Sequence, residues 1–257
     1  MTREAVPLLD LRAVGKTYGT RDGGSVHAIA SVSCSIREGE FVSILGPSGC
    51  GKSTLLMLVS GLVPWSEGEI LLRGQSMAGC QPDFGIVFQD PVLLPWRSIQ
   101  QNVELAGEAG RMTAESCSRR SQELLKLVGL SGFEHKLPHE LSGGMQQRVA
   151  IARALMLEPS LLLMDEPFSA LDAMTREQMN LELQRISLET GATVIFVTHS
   201  ISEAAFLSDR VLVMSGRPST IREAVDIDVP RPRPIELLNS ERIGSYVSHM
   251  RRLFGNH

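Results

Sequence analysis

The chain has 257 residues, 43% of them hydrophobic and 21% charged, with a net charge of −4. That balance excludes a disordered chain, which would be poorer in apolar residues, and it lacks the basic excess that grips a nucleic-acid backbone. The four cysteines, Cys34, Cys50, Cys80 and Cys117, form no CxxC pair and have no histidine at metal spacing, so they read as reduced thiols. The length suits one large α/β domain, or a core with a smaller subdomain. The longest mainly apolar stretch, Leu55 to Val63, is about half of the roughly 20 residues that a spanning helix needs. Residues 1–10 carry Arg3, Glu4 and Asp10 around a short apolar patch, which does not make a signal peptide.

In chain order, Leu8 to Ile36 is strand-like and broken at Gly19 and Asp22-Gly23-Gly24, which predicts hairpins. Phe41 to Leu45 is a short apolar run that ends at a glycine-rich loop, and Ser53 to Ser60 reads as a helix burying Leu55, Leu56, Leu58 and Val59. Phe84 to Phe88 is another short strand. From about Asp90 to Glu158 the period becomes helical, with Leu124, Leu127 and Val128 recurring at three and four. Leu161 to Met164 and Thr193 to Val197 are continuous apolar runs, as expected of strands buried on both faces of a parallel sheet. Between them Thr175 to Thr190 sets Met179, Leu183 and Ile186 on one helical stripe. Strands alternating with helices give an α/β core over about 6–89 and 159–225, with a helical block at about 90–158 inserted into it. The extension at about 226–257 opens with Pro230-Arg231-Pro232-Arg233-Pro234, which favours extended geometry. From Pro230 onward it carries five arginines against two glutamates, and it reads as a solvated arm in preference to a contact with anionic headgroups.

Gly46-Pro47-Ser48-Gly49-Cys50-Gly51-Lys52-Ser53 matches G-x-x-x-x-G-K-[ST] between a predicted strand and a predicted helix. Glycines let the backbone turn its N–H groups around phosphates, Lys52 brings a point charge to the β- and γ-phosphates, and Ser53 can ligate Mg2+. Thr54 adds a second hydroxyl. Cys50 lies inside this loop, so alkylation is expected to inhibit and ATP to protect.

Leu161-Leu162-Leu163-Met164-Asp165-Glu166 ends a buried strand in two carboxylates. A carboxylate there is costly unless it serves a cation, so Asp165 is placed to hold Mg2+ and Glu166 to act as general base on the attacking water. His199 comes directly after the run Thr193 to Thr198. Three apolar runs thus end at Gly46, Asp165 and His199, and the carboxyl ends of strands are where open α/β sheets bind ligands. His199 is therefore placed at a γ-phosphate or its attacking water.

Ser142 reads as the N-cap of a helix opened by Gly143-Gly144 and running through Arg153. Met145 stands where a capping box would want Glu or Gln, which leaves the Ser142 hydroxyl and the glycine amides for an external anion. A second anion-binding helix start this far along the chain does not obviously reach the first loop within one subunit. A head-to-tail dimer solves this, each chain covering the nucleotide of the other.

With Leu141-Ser142-Gly143-Gly144-Met145-Gln146 as signature, this set resembles the ATP-binding subunit of ABC transporters over nearly the whole chain. The resemblance implies a P-loop NTPase fold of the ABC ATPase kind: a RecA-like mixed sheet core, an antiparallel β subdomain and an inserted α-helical subdomain. It makes Gly46–Ser53 the Walker A motif, Asp165 with Glu166 the Walker B end, Gln89 the Q-loop glutamine and a Mg2+ ligand, and His199 the switch histidine. Ser169-Ala170-Leu171-Asp172 becomes the D-loop and Tyr18 the aromatic that stacks on adenine. Ser142, Gly143, Gly144 and Asp172 would serve the partner subunit's nucleotide. Val87 to Arg97, the segment from Asp165 to Asp172 and the Pro-Arg-Pro tail resemble nitrate, sulfonate and taurine importers more finely.

The resemblance implies an ATPase using ATP and Mg2+, working as a homodimer at the cytoplasmic face of the inner membrane. Its partners would be transmembrane permease subunits and an extracytoplasmic solute-binding protein, with no nucleic acid. An importer of another solute, such as a thiamine precursor, and a soluble non-transport ATPase of the same class stand as alternatives. The apolar, proline-bracketed stretch after Gln89 fits either a docking groove for a partner helix or the inner packing of the helical block.

Overall fold

The computed structural model describes residues 6–20, 22–77, 79–81 and 83–254; the first half of the segment read for a signal peptide lies outside them. The chain divides into two compact units, Met1–Gln81 with Thr193–His257, and Pro82–Ala192.

The first unit begins with β1 (Leu9–Gly19) and β2 (Ser25–Ile36), the expected hairpin, paired from Leu9 opposite Ile36 to Tyr18 opposite Val26. β4 (Glu67–Leu72) and β5 (Gln75–Ser76), introduced after β3 (Phe41–Leu45) and α1 (Lys52–Val59), complete an antiparallel sheet in the order β2-β1-β4-β5. When the chain returns to this unit it adds β8 (Thr193–Thr198), α6 (Ile201–Leu207), β9 (Arg210–Met214), β10 (Ile221–Asp226) and α7 (Glu241–Phe254). β3 lies between β8 and β9 and runs parallel to both, while β10 is antiparallel to β9. Every residue of β3 and β8 is buried, which is why both read as unbroken apolar runs rather than alternating ones.

The second unit holds β6 (Phe84–Val87) parallel to β7 (Leu161–Asp165), with α2 (Ile99–Ala109), α3 (Ala114–Leu127), α4 (Gly143–Ala154) and α5 (Ala173–Thr190). Its helix starts are written in the sequence. Ser98 caps α2 in a reciprocal box with Gln101, Thr113 caps α3, and Asp172 caps α5. Gly191, at φ 65°, stops α5 in the left-handed conformation that glycine adopts without strain.

The tail departs from its sequence expectation. It is no solvated arm: Ile243 and Met250, one heptad apart on α7, are fully buried against Leu45, Val211, Val213, Val225 and Val229. Arg233 is fully buried as well, and donates to the carbonyls of Ala205 (3.0 Å) and Phe206 (2.7 Å). Burial pushes its pKa down to about 10. Arg231 makes a two-pronged pair with Asp209 at 2.9 and 2.7 Å and lies over the Phe41 ring. Charges that look solvated in the sequence are thus consumed by main-chain carbonyls and one carboxylate. Met250→Ala is expected to cost about 2–5 kcal/mol in urea unfolding; an unchanged midpoint would mean that the tail does not belong to the core.

Candidate functional site

The loop after β3 is built for anions from its backbone upward. Gly49 (φ 75°) and Gly51 (φ 114°) take left-handed conformations that a side chain would strain. The Cys50 N–H donates to the Pro47 carbonyl at 3.2 Å, which tightens the turn. Pro47, Ser48 and Gly49 form the exposed tip, and Ser53 and Thr54 lie half-buried in the first turn of α1. The N–H groups and dipole of α1 therefore face the loop. Lys52 is only 4% exposed, and its Nζ donates to the carbonyls of Gly46 (3.0 Å) and Pro47 (3.2 Å).

Tyr18 reaches the same neighbourhood through strand register. A Cβ on Gly51 would meet Ile29 Cδ1 at 3.0 Å and the Ala28 carbonyl at 3.2 Å, so β2 runs beside the loop. Val26, opposite Tyr18, lies two residues before Ala28 on β2, about 7 Å at the usual strand rise. Tyr18 is 37% exposed, with Lys16 Nζ 4.9 Å from its ring centroid. His199 is exposed directly after β8. Its turn is fixed by Thr198, whose hydroxyl donates to Glu203 Oε2 (2.6 Å) and accepts from the Ser200 N–H (2.9 Å). Gly46, Pro47 and His199 line one cavity. The structure thus gathers Tyr18, Gly46 to Thr54 and His199 in the first unit.

The remaining predicted residues belong to the second unit. Asp165 and Glu166 are half-buried at the end of β7, and Glu166 holds a left-handed φ of 45°, a conformation that costs of order 1–3 kcal/mol in a non-glycine residue. The Glu166 carbonyl accepts from the Ser169 N–H (3.2 Å) and hydroxyl (2.9 Å), which fixes the bend. Arg176 braces the next stretch of chain, donating to the carbonyls of Phe168 (3.2 Å) and Leu171 (2.8 Å). Asp172 accepts from the Thr175 hydroxyl (2.7 Å) and N–H (3.0 Å), bonds that hold its carboxyl below the usual range.

Ser142 caps α4 as expected, yet its oxygen is occupied: it accepts from the Met145 N–H at 3.3 Å. What it offers an external anion is its O–H, with the exposed Gly143 beside it. A Cβ on Gly144 would lie 2.7 Å from Thr175 Cγ2, so glycine lets this helix start approach the first turn of α5.

Gln89 is exposed after β6, and the segment behind it is held by residues that no motif singles out. Gln147 donates to the Phe88 carbonyl at 3.1 Å, and Arg153 donates to the Val92 and Pro91 carbonyls, both at 2.7 Å. Burial lowers the Arg153 pKa. Asn102, fully buried, exchanges hydrogen bonds with Leu94 and donates to the carbonyls of Arg97 and Ser98. This frame turns Phe88 (38%), Val92 (59%) and Trp96 (74%) toward solvent. Leu93 and Leu94 in the same stretch are half-buried, so it packs inward in part while these three side chains do not.

Residues 29–169 match the ABC transporter family. The chain belongs to that family. It is 47% identical over 231 residues to the nitrate import ATP-binding protein NrtD of Synechococcus elongatus, covering 89% of this chain and 84% of that protein. It is 49% identical over 214 residues to the taurine import ATP-binding protein TauB of Rhizobium johnstonii, covering 83% and 82%. The ATP-binding cassette MJ0796, solved as a dimer in a post-hydrolysis state bound to ADP and Pi, matches with a TM-score of 0.75. That match is 35% identical and covers 86% of this chain and 100% of the other. The fold is that of an ABC ATPase, and ATP is the nucleotide of the family. Among the described residues no helix is long and apolar enough to cross a membrane, and no three His, Cys, Asp or Glu side chains gather into a metal cage.

One expectation about this ABC cassette changes. Cys50 is only 3% exposed, and burial pushes its thiol pKa up, so little thiolate is available to a reagent. Cys80 is exposed. With a thiol reagent near neutral pH, Cys80 should label at least about tenfold faster than Cys50, read by mass spectrometry of the folded chain. Equal rates would mean that the loop opens far more than its packing allows.

Proposed function

We propose that this chain is the ATP-hydrolysing subunit of an importer for a small organic or inorganic anion, such as a sulfonate, taurine or nitrate. The observation that carries this reading is its likeness, close to half identical over more than four fifths of both chains, to proteins named for nitrate and taurine import. The site residues support the ATPase part. In this reading Tyr18 stacks on adenine, the N–H groups from Gly46 to Thr54 enclose the phosphates, and Lys52 exchanges its loop carbonyls for the β- and γ-phosphate oxygens. Glu166 takes the proton of the attacking water, and His199 orients it.

Mg2+ fits the residues present. Ser53, Gln89 and Asp165 offer only hard oxygen donors, and Asp165 ends a strand whose other residues are buried and apolar, a place where a carboxylate wants a cation. When bound, the ion neutralises charge developing on the phosphate oxygens.

Two copies form the working unit, with Ser142, Gly143, Gly144 and Asp172 of each serving the nucleotide of the other. The Ser142 O–H and the α4 N-terminus meet the γ-phosphate. The exposed patch of Phe88, Val92 and Trp96 receives a transmembrane permease subunit at the cytoplasmic face of the membrane, and an extracytoplasmic binding protein delivers the solute. The net charge of −4 supports no nucleic-acid role.

In cells whose only copy is Glu166→Gln, uptake of labelled taurine, an alkanesulfonate or nitrate should fall by about 100-fold or more for at least one of the three. ATP binding by the purified variant should persist. Unchanged uptake of all three contradicts the importer reading, and lost ATP binding contradicts the role given to Glu166.

A further inference from the structure

A cavity of about 380 Å³ lies in the first unit against the phosphate loop, a size that suits a small molecule. Its lining brings Gly46, Pro47 and His199 together with Met214, Arg222 and Phe254. The loop and β9 lie close here: a Cβ on Gly46 would lie 3.2 Å from Met214 Cβ. The folded tail closes the space, because Phe254 ends α7 and Arg222 donates to the neighbouring Leu253 carbonyl. That bond uses one of the five N–H donors of a guanidinium.

The chemistry of the walls defines an occupant. Met214, Ile201 and Phe254 give the lining apolar surface, and Arg222 and His199 add polar groups to it. Arg217, next to the cavity-lining Gly216, adds positive charge close by. The nearest acid along β10, Glu223, is engaged with His249 at 2.6 Å. We propose that this cavity binds a small amphipathic monoanion, a carboxylate or sulfonate with a short apolar tail, and that its occupancy weakens ATP binding. The tail packs on Met214, Ile201 and Phe254, and the anionic end pairs with Arg222. The opposition to ATP comes from shared groups: the occupant presses on Gly46 and His199 and brings negative charge toward the site of the phosphates. The coupling rests on the nucleotide reading proposed above; the binding does not. By linkage, ATP must weaken the occupant by the same factor.

Calorimetric titration of the full chain tests this with butanesulfonate and butyrate as probes, and with butylammonium and sulfate as controls. Both butyl anions should bind at one saturable site, butylammonium should not, and ATP affinity should fall about five- to tenfold at probe saturation. Arg222→Gln removes the anion partner. Gly216→Leu adds bulk at the wall, where a Cβ meets no atom within 4 Å. Each variant should lose at least about tenfold in probe affinity, with its own ATP affinity measured alone as reference. Absent probe binding, unchanged affinity in both variants, or sulfate competing as well as butanesulfonate overturns the site; the last would place the anion in the phosphate loop instead. Probe binding that leaves ATP affinity unmoved overturns the coupling, and failure of the chain to bind ATP without any probe counts against the nucleotide reading alone.

Discussion

Lys52 carries a positive charge that is almost wholly withdrawn from water, and the carbonyls of Gly46 and Pro47 turn inward to meet it. Desolvating such an ion costs several kcal/mol, and each hydrogen bond to a charged group returns about 1.5–3 kcal/mol. The carbonyls can face inward only because Gly49 and Gly51 accept left-handed backbone, and the loop can sit there only because β3 is held between β8 and β9. A triphosphate offers the same ammonium a fully charged partner. The loop therefore keeps a buried cation in place through inward-facing carbonyls, at the spot where the proposed function puts the phosphates.

The second unit poses the converse problem, negative charge at the end of a buried strand. Asp165 and Glu166 come after four buried residues, and the left-handed turn at Glu166 is secured by Ser169, with Arg176 bracing the chain beyond it. α4 links this region to the surface. Its twelve residues span about 18 Å, from the capped start at Ser142 to Arg153, which grips the segment behind Gln89. That segment and the helix start are therefore joined by one helix, without an intervening loop.

Much of this was legible in the sequence for physical reasons. Strands buried on both faces read as unbroken apolar runs, and the glycine spacing before Lys52 announces a tight loop whose Gly49 and Gly51 take left-handed backbone. The expected helix at Ser53 to Ser60 is α1 at Lys52–Val59, and the expected helix opened by Gly143 is α4. What escaped depends on partners far apart in the chain. Arg153 meets carbonyls some sixty residues earlier, and Arg233 is buried by carbonyls of α6, so composition alone made the tail look solvated. The burial of Cys50 comes from the tightness of the loop, and the engagement of the Ser142 oxygen from helix geometry that a motif match does not specify.

The two groups of site residues are proposed to act across two copies of the chain, with ATP between them. Sedimentation of the Glu166→Gln chain at saturating ATP puts this to the test. The expected result is an ATP-dependent dimer that reverts to monomer when Ser142→Arg is added to the same chain. A Glu166→Gln chain that binds ATP and stays monomeric, or a dimer indifferent to Ser142→Arg, would refute the shared site.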